Sequence, residues 1–91
     1  MMHVSNMVNN NGNTVPNQFE ITNNGRTYFQ SYKSIIACKN FSGKIELDSY
    51  YWNYSRTTSK YRNIFLGETT KETQKKINSG EYLLTDLNGG N

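Results

Sequence analysis

The chain has one cysteine, one histidine, one proline and one tryptophan in 91 residues. Each scarcity excludes something. A lone Cys38 rules out an internal disulfide framework and a multi-cysteine zinc site. A lone His3 rules out a histidine-rich metal centre and most nucleophile–base triads, so no metal is expected. No apolar run approaches the ~18 residues of a membrane span, so no membrane partner is expected. Residues 1–25 are polar and asparagine-rich, without the apolar stretch of a secretory signal. With a single thiol, that points to a reducing cytoplasm. Glycine-rich phosphate loops are missing, and the few carboxylates form no evident acid–base pair. A chain this short supports one core and no separate cofactor domain, so neither a cofactor nor catalysis is expected.

Charge is also sparse, at 19% of residues. Ten basic against seven acidic side chains leave a net charge of +3. That mild excess permits nucleic acid or an acidic protein as partner and demands neither. A mimic of DNA would carry the opposite sign.

What is present begins with asparagine. Asn9, Asn10, Asn11, Gly12 and Asn13 are consecutive turn formers, followed by Pro16. Residues 1–18 are therefore expected to be a flexible tail, and 88–91 a frayed end. The folded part is expected over 19–87. Phe19 to Thr22 alternates apolar and polar, Asn24-Gly25 marks a hairpin, and Arg26 to Tyr32 alternates again. Ser34 to Cys38 reads as a central strand, Lys44 to Asp48 as another, and Glu81 to Leu87 as the last.

The period changes after Trp52. With Tyr54 at zero on a helical wheel, Thr57, Thr58, Tyr61, Ile64 and Phe65 fall inward, and Arg56, Ser59, Lys60 and Asn63 outward. Gly67 is placed to end this helix in the left-handed conformation. Thr69 and Glu72 form a capping box for a second helix reaching about Asn78, which Gly80 stops. The expected fold is α+β: an antiparallel sheet of four to five strands with two short consecutive helices on one face, in the order β-β-β-β-α-α-β.

The densest chemical feature runs from Tyr50 to Arg56 and on to Lys60, Tyr61 and Arg62. Rings interleaved with cations suit single-stranded nucleic acid, where bases stack and phosphates meet charge. Tyr54, Tyr61 and Phe65 are read as core. Tyr50, Arg56, Lys60 and Arg62 are read as contact surface. The second helix adds Lys71, Lys75 and Lys76, a lysine face that positions on phosphate but specifies little sequence. Ser55, Thr57 and Thr58 read first as helix-capping chemistry, with an anion site beside Arg56 as the sharper alternative. Cys38 reads as a small buried hydrophobe.

The stretch from Tyr28 onward resembles a small family of phages and mobile elements of low-GC Gram-positive bacteria, of unassigned function. The matching residues include Phe29-Gln30-Ser31-Tyr32-Lys33-Ser34-Ile35-Ile36-Ala37, and Tyr51-Trp52-Asn53-Tyr54-Ser55-Arg56-Thr57-Thr58-Ser59-Lys60-Tyr61-Arg62-Asn63. They continue through Phe65-Leu66-Gly67-Glu68 and Gly80-Glu81-Tyr82. Abundant Asn, Lys, Ile and Tyr agree with the codon bias of such a genome. The resemblance implies a genomic setting, and with it a bacterial host cytoplasm. In that setting the expected function is a non-enzymatic, anti-CRISPR-like inhibitor that binds a Cas effector or its guide complex. The expected contact set is Tyr50, Arg56, Lys60, Arg62, Lys71, Lys75 and Lys76. A small nucleic-acid-binding module and a dimeric virion component are the alternatives.

Overall fold

The computed structural model describes residues 2–89. Its elements are β1 (His3–Val8), β2 (Thr14–Asn23), β3 (Arg26–Ser31), β4 (Ser34–Lys39), β5 (Ile45–Asp48), α1 (Arg56–Leu66), α2 (Thr70–Asn78) and β6 (Leu83–Thr85). The Asn24-Gly25 turn works as its chemistry requires. Both residues take positive φ, 54° and 80°, and Asn23 pairs with Arg26 across a two-residue loop. The strands succeed one another across a single sheet in chain order, β1 to β6.

The fold is α+β, with two differences from the sequence expectation. The sheet has six strands, and it is mixed. β6 runs parallel to β5, with Leu47 opposite Leu84, because α1 and α2 carry the chain back to the end at which β5 began.

The extra strand lies in the expected tail. β1 pairs with β2, from His3 opposite Thr22 to Val8 opposite Thr14. The asparagine run is the turn between them. Asn9 Oδ1 accepts from the amides of Asn11 and Asn13, and Gly12 sits at φ 81°. Met7 enters the core and Val15 packs against it, so this hairpin contributes apolar burial. The C-terminal expectation also changes. Asn88 is tied to Ile35 by two hydrogen bonds of 2.8 and 3.0 Å. Gly90 and Asn91, like Met1, lie outside the described residues.

The core gathers Met7, Phe29, Ile36, Ala37, Leu47, Tyr61, Phe65 and Tyr82 between the sheet and the helices. Phe29 and Phe65 stack at 5.8 Å between ring centres, joining β3 to α1. Lys39 reaches from β4 to the C-terminal turn of α1. Its Nζ donates to the Phe65 carbonyl at 2.7 Å and lies over the Phe65 ring. Helix α1 is capped by Ser55 and ended by Gly67 at φ 71°. Its buried stripe is Thr58, Tyr61, Arg62 and Phe65. The wheel anchored on Tyr54 is thus rotated: Tyr54 and Ile64 are exposed, and Arg62 points inward. The capping box of α2 is present, with Thr69 and Glu72 exchanging side-chain and backbone bonds.

Candidate functional site

Asp48 ends β5 and organises the chain on either side of the helices. Its Oδ2 accepts from the amides of Tyr50 and Tyr51, at 3.1 and 2.8 Å. Its Oδ1 accepts from the Leu87 amide and from Asn88 Nδ2. One buried carboxylate therefore sets both the turn at 49–54 and the C-terminal strap.

That turn presents three tyrosines. Tyr51 makes edge contacts with Tyr50 and Tyr54, at 4.7 and 5.3 Å between centres. Tyr51 leans on the core, whereas Tyr50 and Tyr54 are 65% and 63% exposed. Arg62 holds the turn from behind. Its guanidinium stacks on Trp52 at 5.0 Å and donates to the Trp52 carbonyl, Asn53 Oδ1, Asn63 Oδ1 and Thr70 Oγ1. Burial lowers its pKa, against the pull of Glu68. Arg62 is fully buried, so its assignment to a contact surface is corrected: it is a staple between the tyrosine turn, α1 and α2.

The other wall of the site is the β3–β4 turn. Tyr32 sits at φ 56° and Asn17 at φ 67°, both in the left-handed region that disfavours a side chain. The Tyr32 amide donates to the Asn17 carbonyl at 2.7 Å, and Gln30 Nε2 donates to the Tyr32 carbonyl. Such backbone strain costs about 1–3 kcal/mol per residue and tends to gather at functional sites.

Between the two walls opens a cleft of about 450 Å³. Tyr32 and Lys33 line one side, Tyr51 and Tyr54 another, with Ile36, Ser34, Ser31, Thr58 and Ser55 among the remaining wall. The Ser55, Thr58 and Ser31 hydroxyls form a chain with two contacts of 3.1 Å. Among the described residues, no carboxylate lines the cleft, and Lys33 is its single cation. Gln18, cross-strand from Ser31, has a buried Oε1 with no partner among the described residues.

The remaining sequence candidates separate. Arg56 and Lys60, one turn apart on α1, are exposed, as are Lys71 and Lys75 on α2. Lys76 is not a free surface lysine. It pairs with Glu68 at 2.8 Å, and that hydrogen bond raises its pKa. Burial would push the Glu68 carboxyl up, but bonds from Lys76, Thr73 and Tyr82 outweigh it and hold the group below its usual range. Tyr82, buried and donating to Glu68, is pushed up to about 12. Cys38 is buried on β4, and burial first, then Glu46, raise its thiol pKa, the opposite of an activated nucleophile. Among the described residues, no three His, Cys, Asp or Glu side chains converge as a metal site. No helix among them is long and apolar enough to cross a membrane.

The cleft is hidden from sequence reasoning because its walls lie far apart in the chain. The one available signal is Tyr32-Lys33 between two strands, a turn without glycine or asparagine.

Residues 2–81 match the model of a family of unknown function, DUF8033, and the chain belongs to that family. No curated protein and no solved structure matches the chain.

Proposed function

We propose that this member of the family is a phage-encoded, non-catalytic inhibitor of a bacterial defence system, anti-CRISPR-like in action. It binds a Cas effector or its guide complex stoichiometrically in the host cytoplasm. The observation that carries a contact function is the outward presentation of Tyr50 on a turn fixed from behind by Asp48 and Arg62, with Arg56 and Lys60 exposed on the helix that follows it. A rigid exposed tyrosine is an inexpensive way to build a contact, because few rotamers are lost on binding. The net charge of +3 favours an acidic protein surface or guide-RNA backbone. The phage setting rests on the sequence resemblance over 28–88.

The test mixes purified protein with a purified effector complex from a low-GC Gram-positive host. Size-exclusion chromatography is expected to show a stoichiometric complex, and target cleavage is expected to fall in proportion. Tyr50→Ala with Arg56→Glu and Lys60→Glu is expected to lose both while melting like the parent chain. Full cleavage at excess inhibitor against every such effector would reject the reading.

A second reading, a nucleic-acid-binding module, is favoured by Lys33 lining the same cleft as the exposed rings of Tyr32 and Tyr54. Salt separates the two. Binding to nucleic acid falls log-linearly with salt concentration, whereas a protein interface with an apolar centre persists.

A further inference from the structure

We infer that the cleft between the Tyr32-Lys33 turn and the Tyr51/Tyr54 turn is a binding site for a nucleotide, its base among the tyrosine rings and its phosphate at Lys33. The inference goes beyond the choice of macromolecular partner, because it rests on the cleft's own chemistry.

Size comes first. At about 450 Å³ the cleft falls in the range of small-ligand sites, about 300–1,000 Å³. Aromatic lining on two walls and Ile36 between them suit a flat ring, which stacks on tyrosine without needing a particular sequence of donors. Charge then narrows the class. With one lysine and no carboxylate in the lining, the site favours an anion over a cation or a neutral ring. Polar capacity narrows it again. Ser55, Thr58 and Ser31 carry three hydroxyl protons and share two mutual contacts, so one O–H remains for an outside acceptor. The Ser34 hydroxyl adds another polar group to the wall. A flat ring, a negative charge and several acceptor oxygens together describe a nucleotide. The strained Tyr32 supports the assignment: its left-handed backbone carries a ring, 58% accessible, that lines the cleft.

A nucleotide reaches such a cleft either free or as part of a single strand, and the experiment distinguishes the sources. Amide chemical shifts of the isotope-labelled full chain are followed during titration with adenosine 5′-monophosphate, adenosine, inorganic phosphate and a single-stranded thymidine oligonucleotide. Shifts are expected to centre on Tyr32, Lys33, Ser34, Tyr51, Tyr54 and Ser55. Tyr54→Ala, at an exposed position whose truncation should leave the chain folded, is expected to weaken both nucleotide and nucleoside by about tenfold. Lys33→Ala is expected to weaken the nucleotide and leave adenosine as it was. Tighter binding of the oligonucleotide than the mononucleotide assigns the strand as source, and equal binding assigns the free nucleotide. The inference is overturned if millimolar nucleotide leaves the cleft unshifted, if inorganic phosphate reproduces the whole response, or if Tyr54→Ala changes nothing. Tyr50, Arg56 and Lys60 lie outside the lining, so failure here is separable from failure of the effector assay.

Discussion

Arg62 is enclosed without a carboxylate in hydrogen-bond contact; neutral oxygens on the tyrosine turn and at the α1–α2 junction take up its two terminal nitrogens, and its buried Nε has no partner among the described residues. Removing it orphans those oxygens and vacates the space against Trp52. Arg62→Ala is expected to destabilise by about 2–4 kcal/mol, read as a lower urea midpoint at unchanged slope. Arg62→Lys should recover little, because an ammonium cannot reproduce the planar fork or the stack. Glu68 makes a pH statement. Its folded-state pKa lies below the ordinary carboxylate value of about 4.3, so its bonds stabilise above that value. The contribution is lost as pH falls through the folded pKa, because protonation removes the charge facing Lys76. The stability difference between the parent chain and Glu68→Gln should be largest near neutrality and shrink below about pH 4. A difference that stays constant as pH falls well below the ordinary carboxylate range would contradict this account.

At the scale of elements, local chemistry was legible wherever a signal and its partner lay close together. The Asn24-Gly25 hairpin, the Gly67 cap and the Thr69–Glu72 box all need only a few adjacent residues, and all three form. The α+β class came from the change of hydrophobic period after Trp52. The N-terminal hairpin was not legible, although Asn11-Gly12 carries the same dipeptide as its neighbour. Its flanking strands are mostly exposed, so their alternation is faint; only Met7 is buried in β1. The parallel placement of β6 and the inward turn of Arg62 depend on packing between distant segments, which no local pattern records. The hairpin is open to direct test. Met7→Ala should lower stability by about 2–3 kcal/mol by leaving a cavity, whereas a substitution in a flexible tail would leave the denaturation curve in place. At α2, Thr69→Ala should remove about 1 kcal/mol by opening the capping box, with Thr69→Ser restoring most of it.

For the whole molecule, the sheet has a covered face and an open one, and Asp48 ties neighbouring segments together at one end. The helices pack over Phe29, Ala37 and Leu47. On the other face, register aligns Val4, Ile21, Tyr28, Cys38, Glu46 and Leu83 across all six strands. At one end, the Asp48 carboxylate joins β5, the tyrosine turn and Leu87–Asn88, and Asn88 in turn clamps Ile35 of β4. If that lock is one cooperative unit, its members cannot act independently. Asp48→Asn presents an amide to donors that need an acceptor and should cost about 2–4 kcal/mol. Asn88→Ala should cost about 1–2 kcal/mol. The double variant should lose measurably less than the sum, because Asn88 Nδ2 and Asp48 Oδ1 share a bond that either change already breaks. Urea denaturation of the four chains closes that cycle. A silent Asn88→Ala would return the C-terminal segment to the status of a frayed end. Strict additivity would mean that the tyrosine turn and the strap are anchored separately, and the cleft would then keep its shape when the strap is cut.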